Sequence, residues 1–195
     1  MKGIVFFIVF CSVVLSHTAI ENQNRNQNDC DFSRKDSPQM VKLPTYKNAW
    51  QIQKGCIFPE RQKVAYAMRL FYREWKNKFG DEDGDVLRSL NKLVITWEDK
   101  RKKISGIGFN VNGKPLSGLA WGLTLTPSYV WVWTNPTYKR IAATALIHEL
   151  VHSALWSKNK LHGDPDHEGN DFKGWTREHT IFIAKVNSIL AYKDI

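Results

Sequence analysis

The chain of 195 residues has only three cysteines, Cys11, Cys30 and Cys56, and no two of them stand at a metal-ligand spacing. That excludes a zinc ribbon, a cysteine-held cluster and a disulfide-dense scaffold. Acidic residues are also few, 19 Asp and Glu against 28 Lys and Arg, so the formal net charge is +9. Such a deficit favours anionic partners. It does not by itself point to nucleic acid, because the densest basic run, Lys100-Arg101-Lys102-Lys103, has no aromatics interleaved on which bases could stack. That run lies between two strand-like segments and reads as an exposed hairpin turn. Nor is there an apolar run long enough to span a bilayer. The longest, residues 4–15, follows Lys2 and precedes the small residues Ser16 and Ala19, the arrangement of a secretory signal peptide.

The expected organisation is therefore a signal peptide over 1–19, a polar Asn/Gln-rich leader over 20–37 and one domain over 38–195. The protein is expected to be secreted or periplasmic, without a transmembrane segment once the signal is removed, and to act as a monomer. Lipidation at Cys11 is the alternative, disfavoured by Phe10 before it. In an oxidising compartment, the pair left after cleavage, Cys30 and Cys56, is expected to form a disulfide.

Within the domain, Pro59-Glu60 opens a helix that runs to Phe79, with Val64, Met68, Phe71, Trp75 and Phe79 on one face and Gly80 as its stop. The GDEDGD stretch at 80–85 lacks the later Glu of a calcium loop and reads as an acidic turn. Strands are expected over 92–97, 104–111, 116–126 and 129–134. Asn112-Gly113 signals a hairpin, and Pro127-Ser128 marks a turn. Asn135-Pro136 is expected to cap and start the next helix, and a last amphipathic helix covers 176–191. This order makes an α+β fold: an N-terminal helix, a three- to four-stranded, mainly antiparallel sheet, a long buried helix, a loop and a C-terminal helix. Tyr129-Val130-Trp131-Val132-Trp133 alternates aromatics with valines. It either lines a cleft and pairs with an extended substrate or covers the sheet.

The long buried helix carries His148-Glu149-Leu150-Val151-His152. Residues four apart on a helix share one face, so both imidazoles aim at one spot, where a zinc ion could take a nitrogen from each. Glu149 leans to the edge of that spot, placed to accept a proton from an attacking water. An ordinary hydrogen-bonded His pair is the competing reading. It is disfavoured because the surrounding Leu146, Ile147, Leu150, Val151 and Ala154 bury the helix, and two His with a Glu in a core are costly unless something pairs them. A catalytic zinc needs a third protein ligand. The metzincin position is Lys158, which excludes that class. The loop beyond offers His162, Asp164, Asp166, His167 and Glu168, of which His167 is chosen. Glu178, on the last helix, is the rival, unless it only complements the helix dipole. His179 is either a helix surface residue or a donor to the oxyanion that forms as water attacks an amide.

The stretch HELVH, fourteen residues, then His167-Glu168-Gly169-Asn170-Asp171-Phe172 resembles the SprT-like (Spartan-type) zinc metallopeptidases, whose core has HExxH, a linker of similar length, and a His followed shortly by Gly and an aromatic. The resemblance covers residues 136–172. It implies a zincin-like fold, Zn2+ held by His148, His152 and His167, and Glu149 as general base. Glu168 between His167 and Gly169 departs from the family pattern, and no zinc ribbon or nucleic-acid module follows, so a DNA-linked role is not carried over. The expected function is an exported zinc-dependent endopeptidase acting on polypeptide. A zinc amidase acting on anionic cell-wall cross-links, or a non-catalytic binding protein on the same scaffold, is the alternative.

Overall fold

A computed structural model of the chain describes residues 39–54, 58–104, 110–111, 114–115, 118–134, 140–159 and 174–195. The expected signal peptide and leader, Cys30 and Cys56, Asn112-Gly113, Asn135-Pro136 and residues 160–173, with the expected third ligand His167, lie outside these residues.

The first helix, α1 (Arg61–Phe79), forms where its apolar spacing predicts, burying Val64, Met68, Phe71 and Trp75. It stops at Gly80, whose φ of 72° suits a residue without a Cβ. The acidic stretch that follows is a capping device. Buried Asp81 accepts the backbone N–H groups of Val86 and Leu87, both at 3.0 Å, and so starts the short helix α2 (Asp85–Leu90). The acidic-turn reading holds, because the carboxylate is spent on orphan helix donors.

The main sheet has five strands in the order β1 (Gln39–Lys42), β2 (Trp50–Lys54), β3 (Val94–Glu98), β9 (Tyr129–Trp133) and β8 (Gly122–Thr126). It is mixed rather than mainly antiparallel. β2–β3 and β3–β9 are parallel, whereas β1–β2 and β8–β9 are antiparallel. The reason is topological: between β2 and β3, α1 and α2 form a crossover that returns the chain in the same direction, as parallel neighbours require, and between β3 and β9 the segment that holds β8 does the same. Strands β1 and β2 are not evident from the sequence pattern. In β2, the polar Gln51 faces the core at 1% exposure, while Trp50 and Ile52 face the other way, which inverts the usual signal.

Two further expectations are corrected. The expected 116–126 strand is divided. β7 (Gly118–Leu119) pairs with β4 (Lys103–Ile104) in a separate two-stranded ladder, and only β8 joins the main sheet. The flanks of Asn112-Gly113, β5 (Asn110–Val111) and β6 (Lys114–Pro115), pair antiparallel as a hairpin should. Residues 100–103, however, are not a hairpin turn, because β3 and β4 do not pair with each other. Instead the run folds onto indole faces. Arg101 lies over Trp121 and Trp133, and Lys102 over Trp131.

The helix carrying the HExxH residues, α3, spans Leu146–Asn159 rather than starting at Pro136. A 3-10 turn at Ile141–Ala143 precedes it, and Thr144 is extended (φ −102°, ψ 167°). Its Oγ1 accepts the Leu146 N–H at 3.2 Å, so a Thr cap sets the helix start. Leu146, Ile147, Leu150, Val151 and Ala154 are all buried in one core with Val130 and Val132 of β9 and Phe182, Val186 and Leu190 of α4 (Arg177–Tyr192). Burial of this kind, at roughly 1.5–3 kcal/mol per large apolar side chain, keeps α3 rigid beneath the sheet edge. No helix among the described residues is long and apolar enough to cross a membrane.

Candidate active site

Helix geometry alone brings His148 and His152 together. Their Nε2 atoms lie 3.1 Å apart and their ring centroids 4.8 Å apart. One ring can donate to the other across that gap. The spacing also passes a fit test for a shared ion, since two nitrogens held about 2.0–2.1 Å from a tetrahedral zinc stand about 3.3 Å apart. His152 is buried and His148 half-buried, so the pair sits at the rim of the core. Among the described residues no group of three His, Cys, Asp or Glu side chains converges to hold a metal. The chosen third ligand, His167, lies outside those residues, as do His162, Asp164, Asp166 and Glu168.

Glu149, at 5% exposure, points towards β8. Thr124 Oγ1 lies 2.8 Å from its Oε2 and 3.0 Å from its main-chain oxygen, so the hydroxyl proton is shared between the two acceptors. Two residues before Thr124 on the same strand is the reason for a glycine: a Cβ on Gly122 would lie 2.5 Å from Glu149 Oε1. The strand passes so close over the carboxylate that any Cβ there would force the strand or the Glu149 side chain to shift. Neither residue stands out in the sequence, although a glycine inside a strand is the usual sign of a close approach.

Trp175, just before α4, closes another side. Its ring centroid is 4.7 Å from that of His152 and 5.2 Å from that of His148. Sequence reasoning passes over it, because nothing local ties a tryptophan at 175 to a helix at 148. Behind it, 5.9 Å away, is His179. His179 is buried rather than a solvated helix residue. It stacks on Phe79 at 4.5 Å, and its Nδ1 accepts the Thr176 N–H at 2.9 Å in a capping box. That bond leaves the proton of the neutral ring on Nε2. Burial, the largest influence, pushes its pKa below the ordinary histidine value. Glu178 points elsewhere. It is exposed and ion-paired with Lys78, whose hydrogen bond draws its pKa down. That is the geometry of a surface acid in a first helical turn.

The strand expected either to meet substrate or to cover the sheet does the second. β9 is interior, paired with β3 on one side and β8 on the other, so neither edge of it is open. The edge strand packed against α3, at Glu149, is β8.

Compared with known proteins, the chain matches no family model, no curated protein and no solved structure.

Proposed function

We propose that the protein is an exported, zinc-dependent metallopeptidase of the SprT-like type. His148 and His152 would hold the ion, with His167 as the third ligand. The observation that carries the reading is the division of labour on one helix turn: two Nε2 atoms 3.1 Å apart, and between them in sequence a buried carboxylate held by Thr124. A bound zinc supplies a Lewis acid that polarises an amide carbonyl and makes water nucleophilic near neutral pH. The chain's own residues do the rest. Glu149 Oε1 and Oε2 accept the proton of the attacking water and return it to the departing amine nitrogen. Thr124 orients that carboxylate, and Gly122 leaves it room. Trp175 covers the imidazoles on the side of α4 and keeps water from crowding them. His179, with its proton on Nε2, is retained as a candidate donor to the oxyanion.

The test is Glu149→Gln. It removes the proton acceptor and no ligand, so zinc content and fold should persist while peptide hydrolysis is lost. Hydrolysis near the wild-type rate in that variant would overturn the reading.

A further inference from the structure

Arg101 is held in an unusual seat. Its guanidinium carbon lies 4.2 Å from the ring centroid of Trp121 and 4.1 Å from that of Trp133, and these two indoles stand perpendicular at 88°. No carboxylate pairs with it among the described residues, whereas its neighbour Lys102 has Glu98 at 3.9 Å. A half-buried guanidinium whose faces are taken by indoles keeps its N–H edges for a planar anion such as a carboxylate. Lys100 and Lys103 flank it, both exposed.

The position of this cation along the sheet edge gives it a partner. Ala120 donates its N–H to Lys102 O at 2.9 Å, while Trp121 gives its carbonyl to Trp133 N–H on the opposite side. The segment around β4 therefore occupies the outer edge as far as Ala120. From Gly122 to Thr126 the backbone of β8 pairs only with β9, so among the described residues its outer edge is open. An open edge is read by another backbone with its own N–H and C=O groups. A segment added there would lie end to end with the segment that carries Arg101. Its alternate side chains would share a face with Trp121 and Leu123, opposite the face of Gly122 and Thr124 that meets Glu149.

We infer that the outer edge of β8 binds an extended polypeptide and that Arg101, seated between Trp121 and Trp133, selects a segment bearing an acidic side chain. Its link to catalysis rests on the peptidase reading, because the same strand touches Glu149. The chain's basic balance, +9, suits an acidic ligand, and the open edge favours a polypeptide over a glycan or a nucleic acid, which have no amide backbone to pair.

The experiment measures binding rather than turnover. Fluorescein-labelled blocked peptides rich in Thr and Val, carrying one Glu or one Gln at the same place, are titrated against Glu149→Gln protein by anisotropy. The Glu peptide should bind about tenfold tighter than the Gln peptide, as a charge-assisted bond to a fixed guanidinium predicts. Arg101→Gln should erase the preference, and Trp121→Leu, which loosens the seat, should reduce it, with thermal melts checking that both variants fold. N-methylating alternate amides of the Glu peptide should abolish binding. Equal affinity for Glu and Gln peptides, or unimpaired binding of the N-methylated one, would overturn the inference. So would tighter binding of oligogalacturonate or oligo-dT, which would make this an anionic-polymer site. If the Glu preference holds but protein with Glu149 intact cleaves no peptide, the peptidase reading falls and the acid-selective edge stands.

Discussion

Thr124 and Glu149 are joined by a hydrogen bond of 2.8 Å that ties the edge strand β8 to the buried helix α3. The bond crosses from one layer of the fold to the other. Replacing Thr124 by Val keeps shape and removes the hydroxyl. The expected cost is about 1.5–3 kcal/mol, the range for a hydrogen bond to a charged group, seen as a lower urea midpoint with unchanged m-value. Thr124→Ser should recover most of it. Equal midpoints for the Val variant and wild type would refute the bond.

Gly122→Ala tests the close approach of strand and carboxylate. The new Cβ would overlap Glu149 Oε1 at 2.5 Å, so either the strand or the carboxylate must move. Under the proposed function, peptide cleavage should fall at least about tenfold, since a displaced base costs 1.4 kcal/mol or more in the barrier, while zinc content stays at the wild-type level. Retained activity would show that the base position tolerates the shift.

Metal analysis separates the ligands. Mature protein should carry one zinc per chain, and His148→Ala or His152→Ala should abolish it. His167→Ala should weaken retention by orders of magnitude through loss of a coordinate bond. His162→Ala and Glu178→Ala should leave zinc nearly intact, the latter because Glu178 is already paired with Lys78 at the surface. Loss of zinc in Glu178→Ala with retention in His167→Ala would replace the ligand set.

His179 predicts a pH dependence of stability. Unfolded, its ring takes up a proton near pH 6.5; folded, burial defers that to lower pH. Between the two values the unfolded chain binds more protons, so this contribution to stability is complete above about pH 6.5 and is lost as pH falls through the folded value. Glu74 and Glu178, held below the ordinary value of 4.5, lose theirs only at more acidic pH. Chemical denaturation of wild type and His179→Gln between pH 7 and 5 should therefore show a steeper loss for wild type. Parallel curves would mean that the ring is not held neutral.

What the sequence by itself determined is what helical periodicity encodes. The pairing of His148 with His152, the burial of α3 on nearly every side, the apolar face of α1 and the extent of α4 all follow from spacings of three and four residues, which a helix satisfies within its own turns. The turn at Pro127-Ser128 and the register of β5 against β6 are equally local. The tertiary structure decided everything that depends on residues far apart in the chain. The polar Gln51 enters the core because its strand neighbours, not its own pattern, set its face. Thr144 rather than Pro136 starts the α3 helix, because an extended residue with a side-chain acceptor lies nearer. Gly122 over Glu149, Trp175 against the two imidazoles and Arg101 between Trp121 and Trp133 are contacts between separate elements. Backbone pairing and close packing choose such partners only after the sheet and helices have assembled, so no local spacing announces them.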